Sequence, residues 1–228
     1  MIQCEYVKIL HMQTGRFTRL ATKKIGRLEI KKLALESVTI RIIGDTPLLT
    51  DRLDPSVVYK DEGAGKKENK NSSLTEGKIE KMWLESVYLR SDGYGFPGSG
   101  VHKAIIASGK FAGIPMTRIK SAVRVLTDET TYLPLVSLEP ERDEQVGRNS
   151  NKGNAPVPAV RAKFRNWHID VPVVYMTSEL FLDDVVQLLQ IAGYAVGIGA
   201  YRPEKCGPFG QFHVDKDYEL KSTPVALG

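Results

Sequence analysis

The residues with the clearest chemical potential form a glycine-rich connection near the end of the chain. Between Gly193 and Gly210, five of 18 residues are glycine, against 20 of 228 in the whole sequence. Such a density predicts positive φ angles or a close approach of the main chain to another group. Exposed amides could hold phosphate oxygens, while cations neutralise charge and rings stack on bases. The candidate binding residues here are Gly197, Gly199, Tyr201, Arg202, Lys205, Gly207 and Phe209.

The same glycines also have a purely structural interpretation, in which a helix C-cap is followed by a tight turn into the last strand. That arrangement requires one or two glycines, so we expect most of the five to serve a ligand. A dinucleotide-binding fingerprint is excluded, because the segment from Gly197 to Arg202 lacks the third glycine and follows a helix. The Ser108-Gly-Lys-Phe segment likewise lacks the upstream glycine and the Lys-Ser/Thr end of a P-loop.

A second candidate group lies at the start of the first predicted helix. We expect the backbone of Gly98, Ser99 and Gly100 and the side chain of Lys103 to contact a nucleic-acid backbone, with Ser99 capping the helix. His102 is the weak catalytic candidate, since an imidazole pKa of about 6.5 suits proton transfer. That chemistry needs a second positioned group, which the sequence does not indicate. A solvated or phosphate-contacting His102 is therefore favoured.

Positive charge is concentrated at the N-terminus. Residues 1–32 contain eight Lys or Arg and two Glu, a net charge of +6, whereas the remaining 196 residues sum to −1 and the whole chain to +5. Such an arm suits contact with a polyanion, because each cation can neutralise a phosphate and release a counterion. A solvated tail, or an arm that docks on a neighbouring subunit's acidic face, is the alternative. The candidates are Arg16, Arg19, Lys23 and Lys24, together with Arg41 on the first predicted strand.

Other site classes are not indicated. Cys4 and Cys206 form neither a disulfide framework nor a zinc spacing, so we expect no metal and no cofactor. The pair Asp183-Asp184 falls in the first turn of a predicted helix, where the helix dipole explains acidic residues. No apolar stretch approaches the roughly 18 residues of a membrane span, and the first thirty residues lack the apolar block and small-residue cleavage site of a signal peptide. We expect a protein of the cytoplasm of a prokaryote or of a phage-infected host.

Apolar periodicity predicts the elements that must position these residues. Alternation predicts a strand at 37–43, and three-and-four spacing predicts helices from Ser99 to Ala112 and from Thr177 or Ser178 to Val196. Residues 83–89 have extended character. Further strands are expected near 122–126, 131–138, 159–167, 168–176 and 210–214, where Pro134, Pro158 and Pro172 predict edge or broken strands.

Two polar segments interrupt this order and predict loop insertions at about 51–81 and 139–157. The remaining order matches an α+β protein with a ferredoxin-like or RRM-type βαββαβ core, in which an antiparallel sheet backed by two helices leaves one face free. We expect a basic arm at 1–36, one RRM-like domain at 37–215 and a C-terminal tail at 216–228.

The two glycine-containing motifs resemble those of a known family. The segment from Phe96 to Ala104 resembles the Pro-Gly-Ser-Ser-Leu-Lys segment that opens the first helix of RAMP proteins, the RRM-like CRISPR-associated family, although Gly100 replaces the second serine. The segment from Gly197 to Val214 resembles that family's C-terminal glycine-rich loop and following strand. The resemblance implies binding of single-stranded RNA, in backbone subunits by protomers that stack head to tail along the strand. It also extends to phage-encoded relatives.

These observations together predict a protein that binds single-stranded nucleic acid, RNA before DNA, and that oligomerises along the strand. It would be a helical homo-oligomer or part of a ribonucleoprotein complex, either CRISPR-related or phage-encoded, with no membrane partner. Three alternatives stay open: a phage single-stranded DNA-binding protein, a metal-independent endoribonuclease that uses His102, and a structural or assembly protein.

Overall fold

The structure is a computed structural model that describes residues 33–52, 75–149 and 155–225, with only the backbone of 147–149 and 155–158. The basic residues Arg16, Arg19, Lys23 and Lys24 lie outside the described residues, as does segment 53–74 of the first predicted insertion. Among the described helices, none is long and apolar enough to cross a membrane.

An antiparallel sheet of eight strands forms the centre of the fold, with a path ordered β10-β1-β9-β6-β4-β3. Strand β11 pairs with β1, and β5 pairs with β9 beyond the end of β6. The strands are β1 (Leu35–Gly44), β3 (Leu89–Arg90), β4 (Gly93–Pro97), β5 (Val123–Val125), β6 (Tyr132–Val136), β9 (His168–Met176), β10 (Phe212–Val214) and β11 (Thr223–Pro224).

Three of the described helices cover one face of this sheet: α2 (Gly98–Ala112), α3 (Met116–Ala122) and α4 (Leu182–Ile191), which continues into a π-helical turn (Ala192–Val196). A further helix, α1 (Glu76–Glu85), packs against the second sheet described below. The alternation in β1 places Val38, Ile40 and Ile42 in the core, where the apolar faces of α2 and α4 are also buried. The predicted βαββαβ core is thus confirmed, with β1, α2, β5 and β6, β9, α4 and β10 as its elements.

The second predicted insertion is wrong as a loop, because residues 139–157 contribute to a β-hairpin. Strands β7 (Glu141–Asn149) and β8 (Ala155–Phe164) pair along their whole length, and β2 (Leu48–Thr50) completes a second, three-stranded sheet. The sequence did not predict this hairpin because its strands are polar and cross-strand ion pairs stabilise it. Lys163 lies 3.8 Å from Glu141 and 3.6 Å from Asp143.

The first predicted insertion also contains regular structure, since α1 occupies its end and extends through Trp83. The expectation of extended backbone over 83–89 is therefore wrong, except at β3. Helix α1 has no fully buried residue and is tied to the hairpin by polar contacts. Arg142 pairs with Glu76 and Glu80, and the amide of Ala162 donates to Ser86 Oγ over 2.8 Å.

The expectation of edge or broken strands at the prolines is wrong for Pro134 and Pro172, which lie in interior strands. The carbonyl of Pro172 accepts from the amide of Leu126 over 2.8 Å, so its nitrogen also faces the β5 and β6 side. On that side β9 changes partner from β6 to β5, and Pro134 lies just beyond the last β6–β9 pair, Leu135 and Ile169. The missing amide donors fall in this gap, so no ladder hydrogen bond is lost.

Both predicted helix starts need correction. Pro97 is the N-cap of α2 and no side chain caps that end, so Ser99 lies inside the first turn and is not the cap. Helix α4 begins at Leu182, later than Thr177 or Ser178, with Phe181 as N-cap. Asp184 Oδ2 accepts from the Phe181 amide over 2.8 Å, as expected of an acidic residue at a helix start.

Candidate nucleic-acid interface

A cleft of about 730 Å³ opens between the start of α2 and the glycine-rich connection. The two predicted groups, almost a hundred residues apart in sequence, meet there. The predicted site residues that line it are Ser99, Gly100, Lys103, Gly197, Gly199, Arg202 and Lys205. The fold brings them together because α2 packs against the π-helical turn from which the connection leaves, with Ala104 and Val196 both in the core and in the cleft wall.

The first turn of α2 presents its positive end to the cleft. The Gly98 amide donates to the Thr131 carbonyl over 3.1 Å. The amides of Ser99 and Gly100 lie in the first turn, where a helix supplies no acceptor carbonyl, and no side chain caps them. Gly100 lies directly over an aromatic ring, because an added Cβ would be 3.0 Å from Phe96 Cε1. This end of the cleft therefore favours an anion.

Two lysines in the cleft wall carry charge without a partner. The side chains of Lys103 and Lys205 are exposed and form no ion pair with the described residues. The other charges at the cleft are paired: Arg202 Nη2 lies 2.7 Å from Glu204 Oε2, and Asp51 Oδ2 lies 2.9 Å from Arg161 Nη2. The uncompensated charge of the described cleft is thus that of two ammonium groups.

The glycines of the connection have internal causes, so their density needs no ligand, and contact of these glycines with a ligand stays a prediction. Gly197, Gly199 and Gly210 have φ angles of 69°, 80° and 70°, a region that disfavours side chains. An added Cβ would lie 1.9 Å from the Phe212 carbonyl oxygen at Gly193 and 1.7 Å from that of Tyr201 at Gly207. Close approach does explain the density, but the approaching group is the chain's own backbone.

Most amides of the connection are also committed within the chain, which corrects the expectation that the loop exposes them to phosphate. The amide of Gly197 donates to the Ala192 carbonyl over 2.7 Å, and that of Gly207 to the Arg202 carbonyl over 3.1 Å. The amides of Ile198, Ala200, Phe209 and Gly210 donate to other carbonyls of the described chain. A ligand can therefore reach the cations of this wall and few of its amides, among them that of Gly199, which lines the cleft.

Four predicted residues of the connection and helix start lie away from the cleft wall. Gly98 is buried beside Thr127, whose Cγ2 would be 2.3 Å from an added Cβ. The Arg161 guanidinium lies over the ring of Tyr201, 4.8 Å from the ring centroid, so one face of this ring is occupied. Phe209 and Gly207 fold back on the Tyr201 carbonyl. A direct contact of these residues with nucleic acid stays a prediction.

His102 points away from the cleft, about 100° around α2 from Lys103. Its Nε2 lies 3.0 Å from the Val123 carbonyl oxygen at the start of β5 and is placed to donate to it. Burial lowers the pKa of His102, and the nearby charges of Arg124 and Lys120 lower it further. Among the described residues, no histidine lines the cleft. The ribonuclease hypothesis therefore lacks its general acid or base at this site.

Arg41 lies on the outer face of the sheet, because its neighbours Ile40 and Ile42 point into the core. Its Nε and Nη2 donate to the two carboxylate oxygens of Asp170 over 2.7 and 3.0 Å, and its guanidinium lies 4.5 Å from the centre of the Tyr218 ring. Arg41 is thus neutralised across the strand pair β1–β9 and does not join the cleft.

Sequence reasoning missed one whole wall of the cleft, formed by Thr50, Asp51, Tyr88 and Phe96. Phe96 belongs to the Phe96–Ala104 motif, but the sequence pattern predicts only an extended residue at Tyr88 and the first residue of an insertion at Asp51. Burial raises the pKa of the Tyr88 hydroxyl, and electrostatic interactions with Tyr132 and with Asp51 raise it further. Tyr88 therefore stays protonated at neutral pH.

Two solved structures are among those similar to this chain. One is the cryo-EM structure of the type III-B Cmr-beta bound to cognate target RNA, with a TM-score of 0.39 and 10% identity, covering 83% of this chain and 61% of that chain. The other is the crystal structure of Cmr6 from Pyrococcus furiosus, with a TM-score of 0.39 and 14% identity, covering 81% and 100%. This chain spans about 61% of the length of the first. No family profile and no curated protein sequence matches it.

Proposed function

We propose that the protein binds single-stranded nucleic acid, RNA in preference to DNA, with backbone phosphates seated in the cleft between α2 and the glycine-rich connection. One observation supports this proposal above the others. Two motifs distant in sequence meet at a single concave surface, where Lys103 and Lys205 have no carboxylate partner among the described residues. An unpaired cation at a concave site is available to a phosphate, whereas a paired cation must first lose its partner.

The chemistry of the cleft predicts binding that tracks the backbone and depends on salt. Ammonium groups contact phosphate as point charges without reading sequence, and the N-terminus of α2 adds a partial positive charge near them. Each phosphate contact on a single strand contributes about −0.7 to the slope of log affinity against log salt. The basic N-terminal arm would add contacts of the same kind, which the slope would report.

The proposal is tested with the double variant K103A/K205A against the matched double variant K110A/K216A. Lys110 lies on the same helix as Lys103 and, like Lys216, is exposed and outside the cleft, so both variants lose two positive charges. Fluorescence anisotropy of a labelled single-stranded RNA would measure affinity across a salt series. We expect K103A/K205A to weaken binding about tenfold at low salt and to reduce the slope by about 1.4.

The control variant should keep both the affinity and the slope near the wild-type values. Equal losses in the two double variants would reduce the effect to net charge and remove the cleft from the interface. Unchanged affinity in both would contradict the proposal. Repeating the series with single-stranded DNA of the same sequence would decide the preferred polymer, and tighter binding of DNA would favour the phage DNA-binding alternative.

We further propose that copies assemble along the bound strand, in a CRISPR-related or phage-encoded complex, as the resemblance to RAMP backbone subunits implies. The test is the size of the purified particle and its absorbance ratio at ~260 and ~280 nm, a direct readout of bound polyanion, before and after RNase or DNase. A particle that shrinks with one nuclease supports assembly on that polymer. A particle indifferent to both nucleases would instead support the structural or assembly role.

A further inference from the structure

The cleft is larger than a phosphate requires, and its second wall has the composition of a base-binding site. Its volume of about 730 Å³ falls in the range of pockets that enclose whole organic ligands, about 300–1,000 Å³. This second wall consists of the rings of Phe96 and Tyr88 together with Thr50 and Asp51. We propose that this wall seats one nucleobase of the bound strand and that Asp51 favours a base with an exocyclic amino group over uracil.

This inference rests on the proposed function, and its first support is the state of the Asp51 carboxylate. Oxygen Oδ2 accepts from Arg161 Nε over 2.9 Å and lies 2.9 Å from Nη2 of the same guanidinium, an ion pair that fixes the carboxylate in place. Oxygen Oδ1 receives no hydrogen bond from the described residues. A carboxylate oxygen is an acceptor only, so this free position calls for a donor from the ligand.

The second support is a buried hydroxyl beside it. Thr50 is 1% exposed, it lines the cleft, and its Oγ1 has no hydrogen-bond partner among the described residues. A buried polar atom without a partner is costly, and in native structures such an atom usually has a specific cause. A base edge offers both donors and acceptors, so a bound nucleotide would satisfy this hydroxyl once the Thr50 side chain turns toward the cleft.

The third support is the placement of Tyr88. Its ring packs edge to face on Tyr132 at 5.1 Å between centroids, and its hydroxyl lies 3.5 Å from the Asp51 backbone oxygen. The ring is therefore held at the same end of the cleft as Asp51. Aromatic faces bind nucleobases of any kind by stacking, so the half-buried Tyr88 would supply affinity and Asp51 the selectivity, while Phe96, 4% exposed, forms the floor of the wall.

Cytosine and uracil provide the sharpest comparison, because they have the same size and differ at the edge that Asp51 would meet. Cytosine presents its N4 amino group as a donor, and a carboxylate is its usual acceptor. Uracil presents a carbonyl oxygen at the same position, which a carboxylate repels. Adenine also carries an amino group, but its larger ring changes the stacking contribution and makes it a less direct probe.

The test measures the affinity of wild-type protein for oligo(C) and oligo(U) of equal length, by anisotropy at one salt concentration. We expect oligo(C) to bind about fivefold to tenfold more tightly. In the variant D51N, the amide oxygen can still accept from Arg161 while the amide nitrogen becomes a donor toward O4 of uracil. The ratio should therefore fall to about one or invert, with thermal unfolding of the variant near that of wild type.

The matched control is D183N, which makes the same charge change on the exposed first turn of α4 and should keep the wild-type ratio. Equal binding of the two homopolymers by wild-type protein, with the expected salt dependence, would overturn this inference and leave the proposed function intact. A wild-type ratio that persists in D51N would overturn the role of Asp51. Failure of both homopolymers to bind would instead contradict the proposed function itself.

Discussion

The cleft beside α2 and the outer face of the central sheet both carry basic side chains, but they differ in what those side chains meet. In the cleft, Lys103 and Lys205 have no carboxylate partner among the described residues. On the outer face, Arg41 is held by Asp170, and Arg90 by Asp92 and Asp128. A candidate phosphate site is therefore located by a cation that has no carboxylate partner, and not by the presence of a cation alone.

The geometry of the sheet explains why Arg41 and Arg90 are neutralised on the outer face, whereas Arg124, opposite Val174 on the same face, has no carboxylate partner among the described residues. Arg41 and Asp170 are directly opposite each other in the β1–β9 register, where cross-strand side chains of opposite charge attract. Arg90 is 11% exposed and also donates to the Tyr132 carbonyl, so its guanidinium is used as a structural link.

The largest expected effect concerns the glycines that shape the cleft, and it is measured by comparing G210A with G113A. Both residues have positive φ, 70° and 71°, so both variants pay the same backbone cost of about 1–2 kcal/mol. An added Cβ at Gly113 meets nothing within 4 Å, whereas at Gly210 it would lie 1.8 Å from the Ile198 carbonyl oxygen. We expect G210A to be less stable than G113A by roughly 2 kcal/mol or more in urea unfolding.

This comparison separates a structural glycine from one that serves a ligand. If Gly210 were retained for contact with nucleic acid, G210A would match G113A in stability and lose affinity alone. Equal free energies of unfolding in the two variants would therefore contradict the internal cause assigned to the glycine density of the connection.

The sequence allowed the core of the fold to be predicted, because burial leaves a periodic trace. Val38, Ile40 and Ile42 alternate, and the apolar residues of α2 and α4 recur at helical spacing, so the βαββαβ order followed. The β7–β8 hairpin could not be predicted in the same way. Its strands are polar and are stabilised by pairs such as Glu141 with Lys163, which exist only once the two strands lie side by side.

The candidate site was predictable in its location and less so in its chemistry. The motifs at Ser99–Lys103 and Gly197–Lys205 were visible, and the fold brings them together. The pairing of Arg41 with Asp170 and the commitment of the loop amides depend on tertiary contacts, which a sequence does not show. His102 and Lys103 illustrate the same limit, because consecutive residues on a helix point about 100° apart.

The second prediction concerns D170N, which removes the carboxylate partner of Arg41 on the outer face. In D170N, the amide oxygen can keep one hydrogen bond from Arg41 but no longer neutralises it. We expect the affinity for single-stranded RNA at low salt to rise about twofold to threefold, since one more cation becomes free for phosphate. Anisotropy across a salt series would also show a slope steeper by about 0.7.

The control for D170N is again D183N, which raises the net charge equally at an exposed helix start. It should change the affinity less than D170N does. If the two variants gained affinity equally, net charge alone would account for the effect. A loss of affinity in D170N would show that the intact Arg41–Asp170 pair itself contributes to binding, which would reverse the distinction between the two faces.

The smallest expected effect sharpens the contrast within α2, where His102 faces β5 and Lys103 faces the cleft. The folded-state pKa of His102 is lowered by burial, so between that pKa and the unfolded value of about 6.5 the unfolded chain binds more protons. Stability therefore falls as pH falls through this window and is retained above it. In H102Q this contribution should disappear, which the difference between wild-type and variant urea curves at several pH values measures. RNA affinity should change little, because His102 donates toward the Val123 carbonyl and lies outside the cleft wall. An affinity loss like that of K103A/K205A would return His102 to the binding site.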